Sequence, residues 1–220
     1  MPDELLERLK KFQTDYFPAH RDEFQSLINK GQHPKTLFLG CSDSRIVPYL
    51  LTGTGPGDLF ILRNLGAIVP PYDGSYGIHG TAAGIEFAVL QLKVDRIVIC
   101  GHSHCGAVKS AYEGVPDNAI NLKAWLSLID EALLPVCQTN EALRKVEQRS
   151  IVLQLERLMD YPMVRAAVEN KKLTLHGWYY VIEDGEVQVF DVEKGQFIAA
   201  HIADNCGTGP YIKHDDCGCN

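Results

Sequence analysis

Three short apolar runs constrain the fold of this chain more than any other feature: TLFLG from Thr36 to Gly40, LFIL from Leu59 to Leu62 and RIVIC from Arg96 to Cys100. Each has strand length and is almost continuously apolar, the pattern of strands buried on both faces. Between the second and third runs, Gly80 to Leu92 places apolar residues at helical spacing. Buried strands alternating with helices predict an α/β fold, a mostly parallel central sheet flanked by helices.

The flanks are read with the same rules. LLERLKKFQTDYF and the stretch Asp22 to Asn29 read as helices, together an N-terminal helical arm over residues 1–30, suited to its own core or to a second subunit. From Asn118 to Arg157 the pattern is helical with a break near Pro135, and Tyr161–Pro162 marks another break. Thr174 to Glu183 alternates as a strand, Asp184–Gly185 signals a tight turn, and Val187 to Val192 pairs back as an antiparallel C-terminal hairpin strand. The catalytic domain is expected over 31–202, followed by an irregular tail at 203–220 carrying Cys206, Cys217 and Cys219.

The formal charge of −7 argues against nucleic acid and anionic membrane as partners. No apolar run is long enough to span a bilayer, and residues 1–11 alternate charge with Leu rather than forming a secretory signal, so a cytoplasmic protein is expected. Seven cysteines without a signal fit metal or thiol chemistry better than a full disulfide framework. Cys100 and Cys137 read as small buried residues. The tail cysteines are open to three readings: a soft-metal site, a disulfide, or inert thiols.

Chemistry concentrates where strands end. In open parallel sheets, sites form beyond the carboxyl ends of strands. The first run delivers Cys41-Ser-Asp43-Ser-Arg45, and the third delivers Gly101-His102-Ser-His-Cys105-Gly106. Two thiolates and an imidazole suit a tetrahedral zinc ion, and three protein ligands leave the fourth position open, as catalytic zinc sites do. The bland alternative is a buried cysteine and a turn histidine that never meet. Asp43 and Arg45, two residues apart, suit a bidentate pair that keeps the carboxylate ionised and aimed; the alternative is a salt bridge that only fixes the turn. Bound zinc lowers the pKa of its water from about 16 to roughly 7, giving a nucleophile suited to a small electrophile such as carbon dioxide.

The CSDSR and GHSHCG segments, with GDLFILRNLGAIVPPY, GIEFAVLQLKV and LHGWYYVIEDGEV, closely resemble the β class of carbonic anhydrases, up to about Asp191. The resemblance implies zinc held by Cys41, His102 and Cys105, and zinc-hydroxide attack on carbon dioxide to give bicarbonate and a proton, with Asp43 and Arg45 as the catalytic dyad. It implies Gln32 as a bicarbonate-binding residue reaching across a dimer, Phe60 and Phe87 as pocket lining, and Gly106 as a substrate-facing amide. Phe87 stands where a tyrosine is common. Phe38 replaces the tryptophan of an inhibitory bicarbonate site, so with Gln32 the chain resembles the open, plant-like branch. Arg63 and Tyr180 match other members of that inhibitory site, although Arg63 is expected in an interface or sheet-edge salt bridge. A homodimer is the implied minimal unit, with homotetramers or larger assemblies possible. Two other functions compete: hydrolysis of carbonyl sulfide or carbon disulfide on the same fold, and a non-catalytic bicarbonate-binding scaffold. His104 reads as a neighbour of the site rather than a ligand, Trp178 as packing, and the glycines at 53, 55 and 57 as a turn.

Overall fold

A computed structural model describes residues 3–74, 78–135, 139–201 and 203. The tail cysteines and Cys137 lie outside the described residues. Six strands form one sheet in the order β2-β1-β3-β4-β5-β6. They are β1 (Thr36–Cys41), β2 (Leu59–Asn64), β3 (Arg96–His102), β4 (Thr174–Val181), β5 (Glu186–Asp191) and β6 (Gln196–Ala199). The first four are parallel and the last two antiparallel, as expected of a mostly parallel sheet with a C-terminal hairpin. The third antiparallel partner, β6, is an addition to the sequence reading. Its stretch is short and half-buried, so its apolar signal is weak.

The helices are α1 (Glu4–Lys11), α2 (Phe17–Ala19), α3 (Arg21–Lys30), α4 (Pro48–Thr52), α5 (Gly80–Glu86), α6 (Gly106–Glu113), α7 (Ile120–Leu126), α8 (Asn140–Leu158) and α9 (Pro162–Glu169). Asp3 caps α1, its carboxylate accepting from the amides of Leu5 and Leu6. Thr139 caps α8 by accepting from Ala142. Pro162 opens α9 at a position where its missing N–H costs nothing. A wider π turn runs Phe12–Tyr16 between α1 and α2, and another carries Phe87–Leu92 beyond α5.

Strand alternation splits the core. Leu37, Leu39, Ile97, Ile99, Leu175, Tyr179 and Val181 point to one face, where Ile151, Leu155 and Leu158 of α8 and Val164 of α9 cover them. Phe38, Val98 and Cys100 point to the other, beside Trp178 and Tyr180. Burying each aliphatic side chain of this kind is worth about 1.5–3 kcal/mol. Two glycines let α8 approach closely. A Cβ on Gly101 would lie 2.7 Å from Ile151 Cδ1, and one on Gly177 would lie 2.9 Å from Ile151 Cγ2. The result is that the middle of α8, around Ile151, lies against the end of β3 and the centre of β4, beside the site.

Candidate metal centre

β1 and β3 are hydrogen-bonded neighbours running the same way, with Gly40 opposite Cys100. Both therefore deliver their last residues to one end of the sheet. Cys41 ends β1, His102 ends β3, and Cys105 sits at the N-cap of α6 after a tight turn. The Sγ atoms of Cys41 and Cys105 and a ring nitrogen of His102 all lie within 4.8 Å of one another. All three residues are buried, at 3%, 1% and 5% exposure, so the cluster is shielded from bulk water.

The donor set fits a divalent metal on two counts. His102 Nδ1 lies 2.9 Å from the Ser103 carbonyl, which makes it the protonated nitrogen and turns the lone pair of Nε2 toward the sulfurs. Nε2 is itself buried with no hydrogen-bond partner, a costly state for an imidazole nitrogen unless something is meant to bind it. A hydrogen bond from Cys105 draws the Cys41 thiol well down against its burial, while the same contact and burial push Cys105 up. The two thiols thus compete for one proton, and a divalent ion would hold both sulfurs as thiolates.

Asp43 and Arg45 flank the cluster. Arg45 donates from Nε to Asp43 Oδ1 at 2.9 Å and from Nη2 to Oδ2 at 2.7 Å. The Arg45 amide adds a third bond to Oδ1 at 3.0 Å. These contacts hold the Asp43 carboxyl far below the ordinary carboxylate range. Asp43 Oδ2 lies 3.9 Å from His102 Nε2, so the carboxylate borders the open side of the cluster. Arg45 also donates to the His104 carbonyl at 2.9 Å, tying the two signature loops together.

Among the described residues, Arg63 bonds backbone carbonyls rather than a carboxylate. Its guanidinium donates to the carbonyls of Cys41, at 3.0 and 2.8 Å, and Asp43, at 2.7 Å, and so braces the first loop from the neighbouring strand. Gly66, at φ 77°, points its amide at Cys41 Sγ from 3.4 Å. Asn64 holds that turn, its side chain bonding both the amide and the carbonyl of Ile68.

This architecture has solved relatives. The β-carbonic anhydrase CcaA superimposes with a TM-score of 0.86 at 36% identity, over 94% of each chain. A family model described as carbonic anhydrase matches residues 36–187. The chain belongs to the β-carbonic anhydrase family. In sequence, the carbonic anhydrase of Synechococcus elongatus is 38% identical over 83% of this chain and 69% of that protein. The carbonic anhydrase of Pseudomonas aeruginosa is 38% identical over 89% of this chain and 90% of its own. Tetrameric β-carbonic anhydrases of Sordaria macrospora superimpose with a TM-score of 0.75 at 30% identity, covering 89% of this chain and 98% of theirs.

Within this family member, the other expected site residues divide by position. Gly106 is exposed and opens α6 directly after Cys105, so its amide is one of the first-turn donors that no helical carbonyl can take. Gln32, Phe60 and Phe87 lie elsewhere. Gln32 lies four residues before Thr36, the start of β1, and Cys41 ends that strand, which spans about 17 Å. Phe60 pairs with Leu37, about 13 Å back from Cys41, and stacks against Phe87 with ring centroids 5.7 Å apart. Phe87 remains 42% exposed.

Sequence reasoning missed a buried carboxylate beside the cluster. Glu147, on α8, is 5% exposed and accepts from the Cys105 amide at 2.8 Å and from Tyr179 Oη at 2.7 Å. Its signal was present: a charged residue between Val146 and Ile151, on the face of α8 that also buries Ser150 and Gln154. His104 stands exposed at φ 56°, its Nε2 3.5 Å from Glu183, as expected of a neighbour rather than a ligand.

Proposed function

We propose that the protein catalyses the reversible hydration of carbon dioxide to bicarbonate and a proton, with zinc held by Cys41, His102 and Cys105. The observation that carries this reading is the convergence of two cysteine sulfurs with a buried, partnerless imidazole nitrogen, within 4.8 Å of one another in a β-carbonic anhydrase fold. Thiolate and imidazole donors in this number favour zinc over calcium or magnesium, which prefer oxygen ligands. Zinc, when bound, lowers the pKa of coordinated water toward neutrality and so supplies a nucleophile at ordinary pH.

The chain's own residues then orient and discriminate. Asp43 accepts a proton-bearing oxygen at the open side of the cluster, and so favours a hydrogen-bearing nucleophile and the hydroxyl of bicarbonate. Arg45 occupies both carboxylate oxygens and keeps Asp43 ionised and turned away from the role of a fourth ligand, which supports an open site. The Gly106 amide, at the positive end of α6, suits an oxygen of the substrate that gains negative charge as it reacts. Gln32 and the Phe60–Phe87 pair serve the site of a second copy in a homodimer, where the phenyl rings form an apolar wall for carbon dioxide and Gln32 binds bicarbonate.

Metal analysis with stopped-flow hydration tests the reading. The purified protein is expected to hold one zinc per chain and to hydrate carbon dioxide. Cys41→Ala should lose zinc and activity together. Asp43→Asn should keep zinc and lose about 10- to 100-fold in turnover. Full metal content in Cys41→Ala, or unchanged turnover in Asp43→Asn, would refute the assigned roles.

A further inference from the structure

The turn that joins His102 to Cys105 is held against its own preferences. His104 adopts φ 56°, a conformation that costs an L-residue about 1–2 kcal/mol. Cys105 is the N-cap of α6, and its amide has no carbonyl within the helix to pair with. That amide instead donates to Glu147 Oε1 at 2.8 Å. The second carboxylate oxygen accepts from Tyr179 Oη at 2.7 Å, and Tyr179 is wholly buried in β4. Glu147 has no ion-pair partner among the described residues. A carboxylate buried without a cation is costly to keep.

We infer that Glu147 is a positioning residue for the metal centre: backed by Tyr179, its carboxylate pins the backbone of Cys105 and holds the His102–Cys105 turn in the geometry the ion requires. The inference rests on the reading of the centre as a zinc site. It completes a pattern already visible at the first ligand. Arg63 braces Cys41 by donating to its carbonyl, and Glu147 braces Cys105 by accepting from its amide. A divalent ion with two thiolates and one imidazole carries no net charge, so the centre needs no further counter-ion. What Glu147 supplies is an acceptor in a fixed place.

That distinction makes the inference testable. In Glu147→Gln the amide oxygen still accepts from Cys105, and the amide nitrogen donates to Tyr179, whose hydroxyl also accepts. In Glu147→Ala both donors are orphaned. The experiment measures zinc affinity of the full chain by competition with a chromophoric chelator, and the thiolate charge-transfer and d–d bands of the cobalt-substituted protein. Glu147→Ala should weaken zinc binding by about 10- to 100-fold and perturb the cobalt bands, as loss of groups that orient metal ligands does elsewhere. Glu147→Gln should stay within about threefold of the parent on the same scale. Tyr179→Phe keeps the ring and removes only the donor to Oε2; it should fall between them.

Parent-like affinity and bands in Glu147→Ala would overturn the inference, and so would Glu147→Gln as weak as Glu147→Ala. Should Glu147→Ala not fold, parent-like affinity and bands in Tyr179→Phe would overturn it. A purely structural role would lower the melting temperature while leaving the cobalt bands in place, and that result also counts against it. A parent protein that takes up no zinc would fail the metal reading itself, an outcome distinct from a zinc-binding parent that is indifferent to Glu147.

Discussion

At the scale of single residues, one half-buried polar group, His176, makes the stability of the fold depend on pH. It sits on β4 with Nε2 2.8 Å from Thr174 Oγ1, and burial, helped by Arg96, pushes its pKa from 6.5 down to about 4. The unfolded chain therefore takes up a proton at this residue from about pH 6.5 downward, while the folded chain resists until about pH 4. Stability from this residue is complete above that window and is lost as the pH falls through it. Because His176 is partly exposed, the loss is on the order of 2 kcal/mol rather than the full value of the shift. Urea melts at pH 7 and pH 4.5 should show His176→Gln with a smaller difference between the two conditions than the parent; an equal difference would rule out this assignment. Legibility at this scale was uneven. Cys41, Asp43, Arg45, His102 and Cys105 stood out because they share two short segments at strand ends. The bracing contacts of Arg63 and Glu147 did not, because each acts through the backbone of a residue 22 or 42 positions away, and sequence spacing carries no trace of such a contact.

At the scale of elements, the decisive contact is α8 on β3 and β4. It depends on Gly101 and Gly177 leaving room for Ile151, a stiff β-branched side chain only 2% exposed. Gly101→Ala would set a methyl group 2.7 Å from Ile151 Cδ1, and should cost about 1–3 kcal/mol in chemical denaturation. Trimming the neighbour with Ile151→Val in the same chain should recover part of that loss, and strict additivity of the two changes would show that they do not meet. The central strands were readable because parallel strands buried on both faces leave continuous apolar runs, and α5 because its periodicity is unbroken. β6 and α4 were not. Each is short, and each owes its place to neighbours rather than to its own pattern. The π turn at Phe87–Leu92 was equally hidden, since the same apolar spacing suits an ordinary helix.

At the scale of the whole molecule, the arm and the sheet pose one question together. Leu5, Leu6, Leu9, Phe12 and Tyr16 are all 41% exposed or more, an apolar stripe on α1 and the π turn that no part of the described chain covers. Phe60, with Phe87 stacked on it, sits at the far end of β1 from Cys41, and the proposed dimer, in which each copy finishes the other's site, would account for both features. Complementation tests this. Cys41→Ala and Gln32→Ala should each be impaired alone. Unfolded together and refolded in equal amounts, they should regain about a quarter of parent activity, because half the dimers are mixed and each mixed dimer has one intact site. No gain on mixing would place Gln32 in its own chain's site. The pairing of β1 with β3 has a further consequence. The long stretch of chain between Cys41 and His102 is closed by sheet hydrogen bonds and buried aliphatics, and Arg63 and Glu147 then lock the two ends. The proposed zinc would therefore meet three donors that the sheet and its two braces have already brought within 4.8 Å of one another.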